Sequence, residues 1–316
     1  MRALAFLLAI PACAAEFPQA AISNRELQVK FYLPDPGRGY YRGTRFDYSG
    51  AIYSLTYRGH EYFGPWFARH DPKIHDAITG PVEEFTAPIG YEEAPPGGVF
   101  LRIGVGALRK PEEPAFRRFF TYDIVDPGVW RIHSRKNSIT FTHRVTVGDY
   151  GYAYTKTVRL AGSQPELVIE HSLRNTGKKP LESPQYNHNF FTIDRQPAGP
   201  AFKLIFPFEP KPAADLKGVM ETRGREFTYL RPLKPGESAY TEIGGFGGSA
   251  SDYDIRVENN ERGAGVRITG DRALSKIVFW SISSTVCPEP YVNIRVEPGA
   301  ETKWSIRYRF YSTAAK

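Results

Sequence analysis

Cysteine is almost missing from this chain: Cys13 and Cys287 are the two among 316 residues. Without closely spaced cysteines there is no frame for a structural metal or a dithiol centre. An H-E-x-x-H motif, a G-x-S-x-G nucleophile elbow and a Walker loop are absent too. Metal, serine-hydrolase and nucleotide chemistries therefore have no support in the sequence, and no metal or cofactor is expected. Beyond the first residues no apolar run reaches the 18 or so needed to cross a bilayer, so no permanent membrane span is expected. The formal charge is +7. Its Lys and Arg are dispersed among acids, with no basic run or recognition motif of the kind that tracks nucleic acid.

The opening residues, MRALAFLLAIPACAAEF, have a positive start, an apolar run from Ala3 to Ile10 and small residues at Ala12, Cys13 and Ala14. This pattern predicts a signal peptide over 1–15 with an A-x-A cleavage site, too short for a permanent anchor. Export to the periplasm or beyond the cell is the expectation, with 16–316 as a single mature domain. A rival reading lipidates Cys13, but Pro11 two residues before it fits that poorly. Once the leader is removed Cys287 stands alone, so no intramolecular disulfide can form and core burial must hold the fold.

Strand patterns recur along the chain and helical periodicity is nearly absent. In WSIRYRFYS, Trp304, Ile306, Tyr308 and Phe310 share one face while Ser305, Arg307 and Arg309 share the other. The same period of two runs through Ile139, Phe141 and His143, and through Leu167, Ile169 and His171, which makes both histidines structural strand residues. Turn chemistry separates the runs, as in DPG at 126–128, KPGE at 234–237 and EPGAE at 297–301. Fourteen per cent aromatics with 29 glycines and 26 prolines suit many strands joined by tight turns. The expected fold is all-β, a large antiparallel β-sandwich without internal repeats. Gly244 to Asp252, GGFGGSASD, is expected to be a mobile loop; it lacks the strand–helix context of a nucleotide cradle.

Three polar islands interrupt these patterns: KIHDAITGPVEEF with His75 and Asp76, YNHNFF with His188, and VCPEPY with Glu289. Each has a plain structural reading. His188 can be a satisfied core histidine, Asp76 a turn cap, Glu289 a loop acid, and Glu83 with Glu84 a solvated charged face.

Taken in order, the islands resemble the aldose 1-epimerase, or galactose mutarotase, superfamily. Gly50-Ala51-Ile52-Tyr53-Ser54-Leu55 with Gly59 looks like that family's G-A-x-I-x-S-L-x-x-x-G segment. Ile74-His75-Asp76 through Gly80-Pro81 and Phe85 looks like its L-H-G-G-x-x-G-F, with Arg69 as the upstream arginine. Asn187-His188-Asn189-Phe190-Phe191 looks like its N-H-x-Y-F. Cys287-Pro288-Glu289-Pro290, followed by Pro298-Gly299-Ala300-Glu301, is similar to the C-x-E-P form of the sugar-phosphate branch. The match runs from Arg42 to Phe310 through short motifs. Asp76-Ala77 departs from the family's Gly-Gly, and its additional sugar-binding Asp has no counterpart here.

The resemblance implies a β-supersandwich that needs no cofactor and takes a mono- or oligosaccharide. It implies Glu289 as the base at the anomeric hydroxyl and His188 as the acid at the ring oxygen. His75, Arg69, Asp76 and Asn187 would hold hydroxyls, and Trp66 and Tyr291 would stack on the ring. Histidine suits the acid role because its ordinary pKa of ~6.5 lets it give and regain a proton near neutrality. Two rivals stay open at this point. One is a carbohydrate-binding or accessory protein without turnover; the other is a polysaccharide lyase-like enzyme using Arg42, Arg45 and Arg69 against a uronic acid. Neither the sugar nor the oligomeric state is readable from the sequence.

Overall fold

A computed structural model describes residues 17–216 and 218–313. The expected leader lies outside them. The described residues form 23 strands and two three-residue 3-10 helices, with no α-helix. Every ladder is antiparallel. The all-β expectation holds, and no helix among the described residues is long and apolar enough to cross a membrane.

Two large sheets carry the architecture. The ten-stranded sheet has Ala264–Gly270, Glu301–Ser312, Glu166–Asn175, Tyr150–Leu160 and Ser138–Val147 as consecutive neighbours. The six-stranded sheet runs Lys211–Pro212, Ser238–Gly244, Lys276–Ile282, Thr285–Val296, Leu181–Asn189, Pro81–Phe85. A four-stranded sheet, Gln19–Ser23 to His60–Glu61, and a three-stranded one, Val99–Arg102 to Ile124–Asp126, flank them.

Alternation decides what each sheet buries. Trp304, Ile306, Tyr308 and Phe310 point into the core as their spacing predicts. They share one apolar cluster with Ile277, Phe279, Val286, Val292, Ile294 and Val296 of the six-stranded sheet. Full burial of each such side chain is worth about 1.5–3 kcal/mol. The sheets thus pack face to face and leave the outer face of the six-stranded sheet free to be covered by loops.

The core also holds charge. Glu83 is fully buried, its carboxylate taken by the Lys156 ammonium, by His171 Nε2 at 3.0 Å and by Asn187 Nδ2 at 3.1 Å. The expectation that Glu83 and Glu84 form a solvated face is wrong. Adjacent strand residues point to opposite faces, and here both faces are interior. His171, stacked on Trp304 at 4.7 Å, and His143, bonded to Pro127 O and the Tyr152 hydroxyl, are structural as predicted. The Gly244 to Asp252 segment ends in a 3-10 turn, Ala250–Asp252, with the Asp252 carboxylate accepting from Gly247 N at 2.8 Å.

Candidate active site

A cleft of about 420 Å³ opens on the outer face of the six-stranded sheet. Its floor is a set of cross-strand neighbours. On Leu181–Asn189 the even residues Tyr186 and His188 face the cleft, while Gln185, Asn187 and Asn189 face the core. Tyr186 pairs with Tyr291, and beyond the ladder Phe191 bridges Val286. The same antiparallel register sets His188 opposite Glu289, and residues opposed on one face of a ladder have touching side chains. His188 Nε2 lies 3.2 Å from Glu289 Oε1. Glu289 in turn pairs with Val278, and Trp280 with Tyr240, extending the floor across the sheet.

Loops build the walls. Arg45, Trp66, His75, Asp76, Arg118 and Phe119 reach over the floor from segments between strands. Trp66 Nε1 donates to Ile78 O at 2.9 Å, and its ring stacks on Phe190 at 5.0 Å. His75 leans on Phe119 at 4.9 Å with Asp76 Oδ1 4.0 Å from its Nδ1, both partly exposed at the rim.

The site's electrostatics follow from burial. Glu289 is pushed up to about 7, because desolvation outweighs the nearby Arg45 and Arg118 guanidiniums that favour its charged form. His188 is held well below its ordinary value, first by burial and then by the same arginines. The imidazolium expected from sequence is therefore not the resting state. Near pH 7 the Glu289 carboxyl is partly protonated beside a neutral imidazole, and a proton taken up by the pair rests on the carboxyl. The His188 ring plane is set by stacking on Phe190 at 3.7 Å, and its Nδ1 is buried without a partner.

Of the eight sequence candidates, His188, Glu289, His75, Asp76, Trp66 and Tyr291 line this cleft. Two do not. Asn187 points into the core, where its amide donates to Glu83 and its oxygen accepts from Gln185 Nε2 at 2.8 Å. Arg69 is exposed and outside the cleft lining. Tyr291 lines the cleft but has no free ring face: Tyr186 stacks on one side at 4.2 Å and the Lys276 ammonium sits 4.4 Å over the ring. Its hydroxyl, 3.2 Å from Glu289 Oε2, is what it presents.

Sequence reasoning missed Glu84, Arg118 and Lys276 as parts of the site, and offered Arg45 only for the lyase reading. Glu84 is fully buried and held well below the usual carboxylate range by the guanidiniums of Arg45, Arg118 and Arg102, against a desolvation cost that alone would raise it. The available signal was the pair Glu83-Glu84 within an otherwise apolar strand, PVEEF, where one carboxylate must face each side and find cations on both.

The fold matches known structures over nearly the whole chain. A Synechocystis sp. PCC 6803 protein, Slr1438, superposes with a TM-score of 0.60 at 13% identity, covering 97% of this chain and 100% of that one. A galactose mutarotase-like protein from Clostridium acetobutylicum gives 0.59 at 11%, covering 95% and 96%. The GalM/aldose epimerase homologue from C. elegans gives 0.55 at 12%, covering 94% and 99%. The chain has a galactose mutarotase-like fold. At such identities the likeness speaks for the mutarotase-like fold alone. No family model matches the sequence, and no curated protein matches it.

Proposed function

We propose that this protein is an aldose 1-epimerase-like enzyme that interconverts sugar anomers by opening and re-closing the hemiacetal ring. The observation that carries this reading is the His188–Glu289 contact of 3.2 Å on the floor of the cleft, where a carboxyl whose pKa is raised to about 7 meets a buried imidazole. A general acid–base pair works best when its pKa lies near the working pH.

The proton balance closes. Transfer from the Glu289 carboxyl to His188 Nε2 makes a carboxylate base and an imidazolium acid. The carboxylate removes the proton from the C1 hydroxyl as the C1–O5 bond breaks and the C1=O1 bond forms. Nε2 gives its proton to O5. The pair is then back in its uncharged form, and rotation about C1–C2 followed by the reverse steps closes the ring on the other face. His75 and Asp76 at the rim would hold ring hydroxyls, and the Tyr291 hydroxyl would steady Glu289. The mutarotase-like fold and the order of the sequence motifs support the same reading.

The test is the rate of anomer exchange for a panel of neutral and acidic sugars, followed by optical rotation of a freshly dissolved single anomer or by NMR exchange spectroscopy. Glu289→Gln and His188→Asn should each lower that rate by ~10² or more while leaving the fold intact. Folded variants that match the wild-type rate would remove these residues from the chemistry. A wild type that binds sugars and accelerates none would make the protein a carbohydrate-binding one.

A further inference from the structure

One wall of the cleft carries more positive charge than its carboxylates answer. The carboxylate of Glu84 is shared by three guanidiniums: Arg45 Nε at 2.8 Å, Arg118 Nε and Nη2 at 2.7 and 2.8 Å, and Arg102 Nη2 at 3.5 Å. Arg45 and Arg102 are buried. Arg102 spends its other donors on backbone oxygens of Thr86 and Arg45, at 3.0 and 2.8 Å. Glu289 is the next carboxylate the arginines meet, and with it ionised one guanidinium is still unanswered. Leaving a desolvated cation without a counter-charge is costly.

The unanswered charge has a position. Arg118 and Lys276 both stand at Tyr291: Arg118 Nη2 is 3.5 Å from its hydroxyl and the Lys276 ammonium is over its ring. Arg118 Nη1 has no protein acceptor among the described residues. Lys276 has one carboxylate partner there, Glu242, a loose contact of 3.8 Å at the half-exposed edge of the sheet. Both cations line the cleft and a neighbouring groove beside Ser275 and Asn293. Glu289 and Tyr291 are two residues apart on one face of one strand, about 7 Å. Their side chains converge further: the Tyr291 hydroxyl is 3.2 Å from Glu289 Oε2 and 3.5 Å from Arg118 Nη2, so one pyranose ring with its anomeric oxygen at Glu289 reaches Arg118 with its C5 substituent.

We infer that the cleft takes a sugar whose C5 substituent is a carboxylate, a uronic-acid-type ring, with that carboxylate between Arg118 and Lys276. Charge favours a carboxylate over a phosphate. A carboxylate adds a single negative charge and two acceptor oxygens, matching one guanidinium nitrogen and one ammonium. With Glu289 ionised, the carboxylates of Glu84, Glu289 and Glu242 leave one positive charge over from Arg45, Arg102, Arg118 and Lys276, which a carboxylate answers singly, whereas a phosphate brings nearly two charges. The inference uses the proposed function only to place the anomeric carbon near Glu289.

The test is direct binding, by calorimetry or ligand-observed NMR, of D-glucuronate and D-galacturonate against their uncharged amides and against glucose 6-phosphate. At least one uronate should bind tenfold or more tighter than its amide. Lys276→Met keeps the aliphatic stem over Tyr291 and removes the charge; it should reduce the acid-over-amide ratio at least fivefold. Arg118→Lys, which keeps a charge but loses the fork, should reduce it as well. Equal binding of acid and amide, tighter binding of glucose 6-phosphate than of every uronate, or an unchanged ratio in folded Lys276→Met would each overturn the assignment. Binding needs no turnover, so the two readings fail separately. A protein that binds uronates without accelerating anomer exchange loses only the enzymatic function. One that accelerates neutral sugars with no acid preference loses only the carboxylate subsite.

Discussion

Burial sets the proton affinity of Glu289, and that has a consequence for stability. Its folded value of about 7 lies above the ordinary 4.5, so the folded protein binds this proton more tightly than the unfolded chain does. The stability linked to it is fully present below pH 4.5, declines as pH rises, and is gone above about 7. Two and a half pH units correspond to about 3 kcal/mol as an upper bound. Glu289→Gln cannot ionise and escapes this loss. Its melting temperature should match or fall below the wild-type value at pH 4.5 and exceed it at pH 8, with a gap of about 1–3 kcal/mol at the higher pH. Scanning calorimetry of both proteins across pH 4.5–8 checks this, and parallel curves would count against a desolvated Glu289.

Strands act through register and alternation. Pro81–Phe85 shows both in five residues: Glu84 faces the cleft and its arginines, and Glu83 faces the core and Lys156. Lys156 comes from the ten-stranded sheet and Glu83 from the six-stranded one, so this ion pair spans the interface between the sheets. Truncating one partner of a buried pair leaves the other charge unpaired in low dielectric. Glu83→Gln keeps the shape but removes the charge, and should cost about 3 kcal/mol or more. Urea unfolding at neutral pH measures it. A change under 1 kcal/mol would mean that water or Asp47 compensates Lys156.

At the scale of the molecule the two large sheets share a single apolar cluster, which also takes in the four-stranded sheet through Leu27, Val29 and Phe31. A shared core predicts one cooperative transition. The four tryptophans sample both sides: Trp66 and Trp280 stand at the cleft, Trp130 and Trp304 on the ten-stranded sheet. Fluorescence and far-UV circular dichroism should therefore report the same urea midpoint. Separate midpoints, or a folded proteolytic fragment holding one sheet, would divide the chain into two domains.

Period-two patterns and turn residues determined the all-β class by themselves, because alternation is a local property: Trp304 to Phe310 needs no partner to reveal which face is apolar. The polar islands were legible for the same reason, since His188 and Glu289 stand out against apolar neighbours. Which islands meet was not local. The register between Leu181–Asn189 and Thr285–Val296 joins residues about a hundred positions apart, and that register makes His188 and Glu289 neighbours while turning Asn187 into the core. Covering both faces of the six-stranded sheet buried Glu83 and Glu84, which in isolation read as a solvated pair. Arg118 and Lys276 carried no sequence signal, and Arg45 was offered only for the lyase reading, because surface and buried cations are spelled alike; only a desolvated carboxylate beside them gives their charge a place. Proton affinities depend on that same three-dimensional burial, so the raised affinity of Glu289 and the lowered affinity of His188 belong to the tertiary structure.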